Sequence, residues 1–493
     1  MKEKNVLIVE PKGATANVFD RYPLPLLGGP ILGTMAHQAG YNVKIINENT
    51  SRVTDEELAW ADVLAESCLT QTVNAGKALA KRYKRLRADA GLESKSVIGG
   101  IHASMIPEDV APYFDHVVVG EGESVFLEIL NGDITDHIVR AERAVGYPEG
   151  PIPDLSLIKG WKPTDILPVN TSKGCHHDCS FCCVTGMDGR KYRTLELERV
   201  IEEASRYDPR FVFFVDNHFV ARPKRTEGLL DMMISYGFDR EWTAQTRVGI
   251  TKDAQLIAKM AKAGCDAVYV GVESANQATL DAMNKRQTVA DTEHAIKVFH
   301  DNGIKVHGMS IIGSDTDDVG EFDRLSDFYN ETGIDYAQFA ILTPFPELNR
   351  DKIYNRLQNE ERILHDDWSL YDAQHVVFQP KNMSVWELQL GMIKCYSDFY
   401  SIPQAAKVAG RAIHSSARSV ANTMFESALD TTRRLLHGAE VDLIAPAREL
   451  IGQGKELYDQ LSPAVIRVAG KHILEKWLDA NREYLHELSS QRI

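Results

Sequence analysis

No apolar run in this 493-residue chain reaches the length of about 20 residues that a bilayer-crossing helix needs. The N-terminus, Met-Lys-Glu-Lys-Asn, runs straight into a strand-like stretch and has no apolar signal-peptide core. Positive charge is in deficit: 55 Lys and Arg stand against 70 Asp and Glu, a formal charge of −15. Nucleic-acid binding is dominated by phosphate neutralisation, so a nucleic-acid partner is not expected. One basic run, Lys81 to Arg87, reads as the solvated face of a helix. Cysteine is scarce, with seven in all, too few and too clustered for a disulfide framework.

What remains is an ordinary globular composition, 44% apolar and 25% charged, too long for one core, so two to four domains are expected. Four of the seven cysteines fall in Thr-Ser-Lys-Gly-Cys-His-His-Asp-Cys-Ser-Phe-Cys-Cys, residues 171–183. Cys175, Cys179 and Cys182 stand at CxxxCxxC spacing, which fits one short loop binding three corners of a four-iron cluster. The fourth iron then has no protein ligand, and an open metal position is what a metal needs to bind a substrate or cofactor. A structural zinc site is the alternative, but it needs a second ligand pair and none of the usual form follows. Chance clustering of buried cysteines fits poorly with so polar and glycine-led a loop. Free thiols and an oxygen-sensitive cluster place the protein in a reducing cytoplasm.

This segment resembles the cluster motif of the radical S-adenosylmethionine (radical SAM) superfamily, and Phe181 before the third cysteine agrees with that family's habit. The resemblance implies a 4Fe-4S cluster whose open iron chelates S-adenosylmethionine. It also implies a 5′-deoxyadenosyl radical that abstracts hydrogen, and an external one-electron reductant such as a flavodoxin or ferredoxin. Cys183 is outside the pattern and reads as a packed residue of the loop or a reactive neighbour.

Strand-like runs at Asn5–Glu10, Asn42–Asn47, 61–66, Lys95–Gly99 and 115–120 alternate with helical stretches, which means βαβ units and a doubly wound parallel sheet. Ligands of such sheets bind at the carboxyl ends of the strands, where the glycines cluster: Gly28-Gly29, Gly99-Gly100 and Gly120-Glu121-Gly122-Glu123. Placed before a radical SAM motif, this Rossmann-like domain resembles the cobalamin-binding domain fused to many such enzymes. The resemblance assigns cobalamin contacts to Gly28, Gly29, Gly99, Gly100, His102, Gly120, Glu121 and Gly122. The DxHxxG motif that supplies a cobalt-ligating histidine elsewhere is absent, and His102 reads as a polar contact at its loop. The alternative is a domain of this fold that only packs or docks.

After a proline-rich connector, strands at 166–170, 211–215, 242–245, 267–271, 306–312 and 336–342 fit a partial (β/α)6 TIM-type barrel with its site at the strand carboxyl ends. By resemblance, Asp216 holds the methionyl amino group, Gly271 and Glu273 meet the ribose or methionyl end, and Gly308 to Ile312 contact adenine. Gln245 and Arg247 are candidates for the substrate or a carboxylate. Each of these has a plainer reading: Asp216 or His218 as a helix cap, Glu273 as an N-cap-region charge, Arg247 as an ion-pair partner. Ser314-Asp315-Thr316-Asp317 departs from the family's Leu-Pro-Gly-Glu-Thr.

The expected layout is thus a cobalamin-binding-like domain over 1–140, a linker over 141–165, a radical SAM barrel over 166–350 and a helical cap over 351–493. Helices are read at 384–400, 403–437 and 440–461, with another starting at Ser462-Pro463. Lys407, Arg411, Arg418, Arg433 and Arg434 make the second of these basic, which reads as a solvated bundle face rather than a lipid-binding one. The resemblance, over roughly residues 1–400, implies an enzyme that transfers a methyl group through cobalamin to an unactivated carbon of a small-molecule or lipid substrate. One S-adenosylmethionine would methylate cobalt and a second would supply the radical. A tetrapyrrole-ring cyclase shares the architecture, a corrinoid-independent oxidoreductase is a further alternative, and a cluster-bearing sensor or scaffold is the non-enzymatic one.

Overall fold

The computed structural model describes residues 4–13, 24–148, 150–163, 165–346, 353–401, 404, 467 and 470–490. Two parallel six-stranded sheets organise it. The first contains β1 (Asn5–Glu10), β2 (Asn42–Asn47), β3 (Val63–Ser67), β4 (Lys95–Gly99), β5 (His116–Val119) and β6 (Ile138–Arg140), in the order β2-β1-β3-β4-β5-β6. Val6, Leu7, Ile8 and Val9 are all buried, so β1 reads as a continuous apolar run: both of its faces are covered by helices. The winding direction reverses between β1 and β3, which opens a crevice at their carboxyl ends. The helix Gly28–Gln38 enters above that crevice, and Gly33 lets it lie directly against Ile45 and Ile8.

The sequence reading missed β6, whose three residues are too short to show a period. It also treated the basic run as a solvated face. Arg87 in fact turns inward, donating to the carbonyls of Glu93 at 2.8 Å and Ala59 at 3.0 Å. The proline-rich connector is not free either: Ile158 bridges to Ile45, and the Asp154 amide donates to Thr34 Oγ1 at 2.8 Å, so it covers the open edge of β2.

The second sheet contains β7 (Leu167–Val169), β10 (Val212–Phe214), β11 (Trp242–Thr246), β12 (Cys265–Glu273), β13 (Lys305–Ile312) and β14 (Tyr336–Ile341). Its order, β14-β13-β12-β11-β10-β7, is that of an incomplete β/α barrel. Between β7 and β10 the chain makes a small antiparallel ladder of β8 (Ser172–Lys173) and β9 (Arg193–Thr194). Alternation along β13 sends Val306, Gly308, Ser310 and Ile312 towards the helix Glu321–Thr332, and Lys305, His307, Met309 and Ile311 to the barrel interior. Across the interior, Phe213 stacks on Tyr269 at 5.2 Å and Tyr269 on His307 at 4.3 Å, with Tyr336 at 6.0 Å from His307. Burial pushes the His307 pKa down to about 4, so this aromatic floor carries no charge at neutral pH.

The helix Val385–Phe399 starts at a Ser384/Glu387 capping box and lays Gly391 against the Phe322 ring. Before it, the segment around Asp367 and Trp368 reaches back to the first sheet, where Asn74 Nδ2 donates to Asp367 at 3.0 Å. Farther on, buried His375 bonds Asp372 at 2.9 Å and Asn481 at 2.9 Å, tying the C-terminal stretch to this segment. The helices read at 403–437 and 440–461, the start at Ser462-Pro463, and the basic residues between them lie outside the described residues, Gln404 apart. No helix among the described residues is long and apolar enough to cross a membrane.

Glu10, at the end of β1, is buried with one carboxylate oxygen accepting from Asn47 Nδ2 at 2.9 Å, and burial pushes its pKa up to about 8. A raised carboxyl pKa gives stability that is complete below the unfolded value of 4.5 and is lost as pH rises through about 8. Glu10→Gln should therefore gain on the wild type in denaturant midpoint progressively across that window; a constant difference between the two would contradict a neutral Glu10.

Candidate active site

The three cysteines sit at the carboxyl end of β7, in a loop whose neck is the β8–β9 ladder, with Ser172 opposite Thr194 and Lys173 opposite Arg193. Gly174 begins the loop at φ +90°, and a side chain there would strike the Lys191 carbonyl, so the turn requires glycine. The Cys175 amide donates to the Gly189 carbonyl at 3.2 Å and the Cys182 amide to that of Cys179 at 3.2 Å. The far side of the loop is tied to the barrel: the Ser180 amide donates to Met283 at 3.1 Å and Asn284 Nδ2 to the Asp178 carbonyl at 2.8 Å.

Asp216 was expected to hold the methionyl amino group, but its carboxylate is committed elsewhere. Fully buried, it accepts from the Thr171 amide at 2.8 Å, the Ser172 amide at 2.7 Å and Thr171 Oγ1 at 2.7 Å. It holds the root of the cysteine loop, and Asn217 beside it reaches Asp188 within the loop at 2.9 Å. Burial, followed by the charges of Cys183, Cys179 and Cys175, pushes the Cys182 thiol up to about 12. Thiols this close and this dry ionise together only against a large positive charge, which is what iron supplies. No group of three His, Cys, Asp or Glu side chains that could hold a metal ion is found among the described residues.

A chain of charged groups leads away from the Cys179 thiol. Arg247, expected at the substrate, donates from Nη1 to Cys179 Sγ at 3.7 Å and from Nη2 to the Lys285 carbonyl. Lys285 pairs with Glu273 and holds its ammonium 5.8 Å from the Phe181 ring centroid. Glu273 stands at φ +63°, a backbone conformation few side chains adopt, where the β12–β13 register slips. Gly271 lies beneath the ion pair and leaves it space. Burial and the neighbouring His177 push the His218 pKa down to about 3, and its Nδ1 has no partner among the described residues. Gly308 and Ile312 face the opposite way: a side chain at Gly308 would meet Tyr329 2.9 Å from its Cβ, so only their backbone is open to the barrel. Gln245 points to the interior from β11, and its carbonyl accepts from the Phe219 amide at 2.9 Å.

At the first sheet, among the described residues a side chain at Gly28 would meet nothing within 4 Å of its Cβ and one at Gly99 only Val118 at 3.9 Å, so the backbone is open to close approach at both. Gly29 touches Glu10 and Gly122 touches Leu32. Four residues assigned to cobalamin also have contacts within the protein. His102 is fully buried between Asp109, 3.0 Å from its Nε2, and Trp368 at 5.1 Å. Gly100, at φ +96°, lets its loop pass the Cys68 backbone. Glu121 pairs with Arg193 at 2.6 Å and accepts from the Ala144 amide at 2.9 Å. Gly120, at φ +98°, lies against the Ala141 carbonyl. Sequence reasoning missed Lys285, Lys173 and Arg193, because nothing in the stretch around each announces the carboxylate it pairs with.

Comparison with known proteins agrees with this geometry. Residues 169–329 match the radical SAM superfamily and residues 20–130 the B12 binding domain. A bacteriochlorophyllide d C-12(1)-methyltransferase from Chlorobaculum tepidum is 27% identical over 417 residues, covering 80% of this chain and 87% of the relative. A hopanoid C-2 methylase from Rhodopseudomonas palustris is 26% identical over 367 residues, 70% of this chain and 67% of that one. The solved structure of the cobalamin-dependent S-adenosylmethionine radical enzyme OxsB, with aqua-cobalamin and S-adenosylmethionine bound, superposes with a TM-score of 0.58 at 14% identity, covering 100% of this chain and 82% of that one. The chain is a radical SAM enzyme of the class that carries a cobalamin-binding domain. Its cofactors are a 4Fe-4S cluster, S-adenosylmethionine and cobalamin.

Cluster potential falls when nearby positive charge and hydrogen bonds to sulfur are removed. Arg247→Gln should lower the midpoint potential of the reconstituted cluster in an EPR-monitored titration; an unchanged potential would place Arg247 in substrate binding alone. Asp216→Ala leaves two buried amides unpaired, at about 1–3 kcal/mol each, and should reduce iron bound per chain after reconstitution.

Proposed function

We propose that the enzyme methylates an unactivated carbon of a large apolar polycyclic substrate. What supports this reading is the pairing of the charged thiol site with the accessible glycines at the strand ends of the neighbouring sheet, in a chain most of whose length aligns with methylases of a tetrapyrrole and of a hopanoid. When bound, the cluster supplies the electron that opens S-adenosylmethionine to a 5′-deoxyadenosyl radical, and cobalamin supplies the methyl group. The protein's own residues do the rest. Glu273, Lys285 and Arg247 orient the methionyl end by charge. His177 and His218, their pKa values pushed down to about 4 and about 3 by burial first, stand neutral beside the thiols and add no charge to repel a cationic sulfonium. The stacked aromatic rings line the interior with apolar, uncharged surface, which suits a radical. An external flavodoxin- or ferredoxin-type donor fits a site with no second cluster motif in the chain.

Anaerobically reconstituted protein, given reductant, cobalamin, S-adenosylmethionine and candidate polycycles, should release both S-adenosylhomocysteine and 5′-deoxyadenosine. Deoxyadenosine without S-adenosylhomocysteine would shift the assignment to cyclisation or oxidation; absence of both would overturn it. Cys175→Ala, Cys179→Ala and Cys182→Ala should each remove the cluster's visible absorbance.

A further inference from the structure

The neck of the cysteine loop is two residues wide, and its register sets Lys173 directly opposite Arg193. Like charges opposite each other on an antiparallel ladder repel. Neither is dispersed into water: the Arg193 side chain is 1% exposed and that of Lys173 20%. Both are neutralised from the other domain, by one four-residue turn. Glu121 meets Arg193 at 2.6 Å, and Glu123 meets Lys173 at 3.1 Å. That turn, Gly120 to Glu123, leaves the carboxyl end of β5, beside the crevice of the first sheet. Burial raises the Glu121 carboxyl, but the Arg193 hydrogen bond and the Ala144 amide together hold it below the usual range, so the pair is ionised. Arg193 also donates to the carbonyls of Asp188 at 3.2 Å, inside the cysteine loop, and of Ala144 at 3.3 Å, in the connector. Arg143 of the connector donates in turn to the Gly186 and Met187 carbonyls of the loop, at 3.1 and 2.8 Å.

We propose that Lys173 and Arg193 are positioning residues: the cysteine loop closes its neck only when the cobalamin-domain turn is docked on it, so the two cation–glutamate pairs set the distance between corrinoid and cluster. This rests on cobalamin binding at the first sheet and not on the identity of the substrate. A buried charge left without its partner destabilises strongly, whereas a pair exchanged end for end keeps its attraction. That asymmetry separates positioning from mere presence of charge.

The test uses full-length protein loaded with both cofactors and reduced, and reads the EPR spin–spin coupling between the cluster and cob(II)alamin, a direct gauge of their separation. Lys173→Gln and Glu123→Gln should each retain iron and corrinoid stoichiometry yet weaken or broaden that coupling. Methyl transferred per deoxyadenosine formed should fall about tenfold, since a 1 Å misplacement costs up to about 10²-fold. The exchange variant Lys173→Glu with Glu123→Lys should restore both readouts. Arg193→Gln, the more buried of the two, should also shed iron. If Arg193→Gln does not fold, the Lys173 and Glu123 variants still decide. Wild-type coupling in the single variants with full cofactor loading overturns the proposal while leaving the assignment of function intact. Failure of the wild type to bind corrinoid overturns both.

Discussion

One buried carboxylate sets the foundation of the reactive end of this molecule. Asp216, leaving β10, gathers the two backbone amides and the hydroxyl at which the chain departs from β7 into the cysteine loop. Irregular backbone at a barrel mouth has no ladder partners of its own, and buried amides demand acceptors. By meeting that demand from the adjacent strand, Asp216 makes the loop's root part of the sheet. Everything beyond it, from the neck to the thiols to the contacts with residues 283–285, extends from a fixed point.

Electrostatics then sorts the space above the sheet. Arg247 reaches the Cys179 sulfur with the Glu273–Lys285 pair behind it, while the imidazoles nearby are kept neutral by burial. Three thiolates carry negative charge that iron only partly offsets, so cations at the rim and neutral rings within are the arrangement that costs least in a dry site. The left-handed Glu273 belongs to the same design. An unfavourable backbone is retained because it turns a carboxylate over Gly271 to Lys285, and strain of this sort gathers at functional loops.

Much of the architecture was legible in the chain. Continuous apolar runs gave the central strands to within a residue or two, because strands covered on both faces have no need of alternation. The thiol spacing was legible because all its ligands are local. What was hidden depends on direction and on distant partners. Gly308 resembles a ligand-contacting glycine in sequence, yet strand parity points it at Tyr329. His102 reads in the sequence as a polar contact at its loop, and Asp109 supplies one, but its burial against Trp368, far along the chain, could not be seen there. Glu121 sits in a glycine-rich turn that suggests a ligand contact, and nothing local announces that Arg193 will take its carboxylate. The two-residue ladder of β8 and β9 is too short to carry any pattern.

The rings of Phe213, Tyr269 and His307 stack across the barrel interior from β10, β12 and β13. A slip of one residue in any of these strands would turn its ring to the opposite face and break the stack. The stack therefore proofreads the pairing of the strands from within, and the mouth of the barrel inherits its geometry from rings that never touch the thiols.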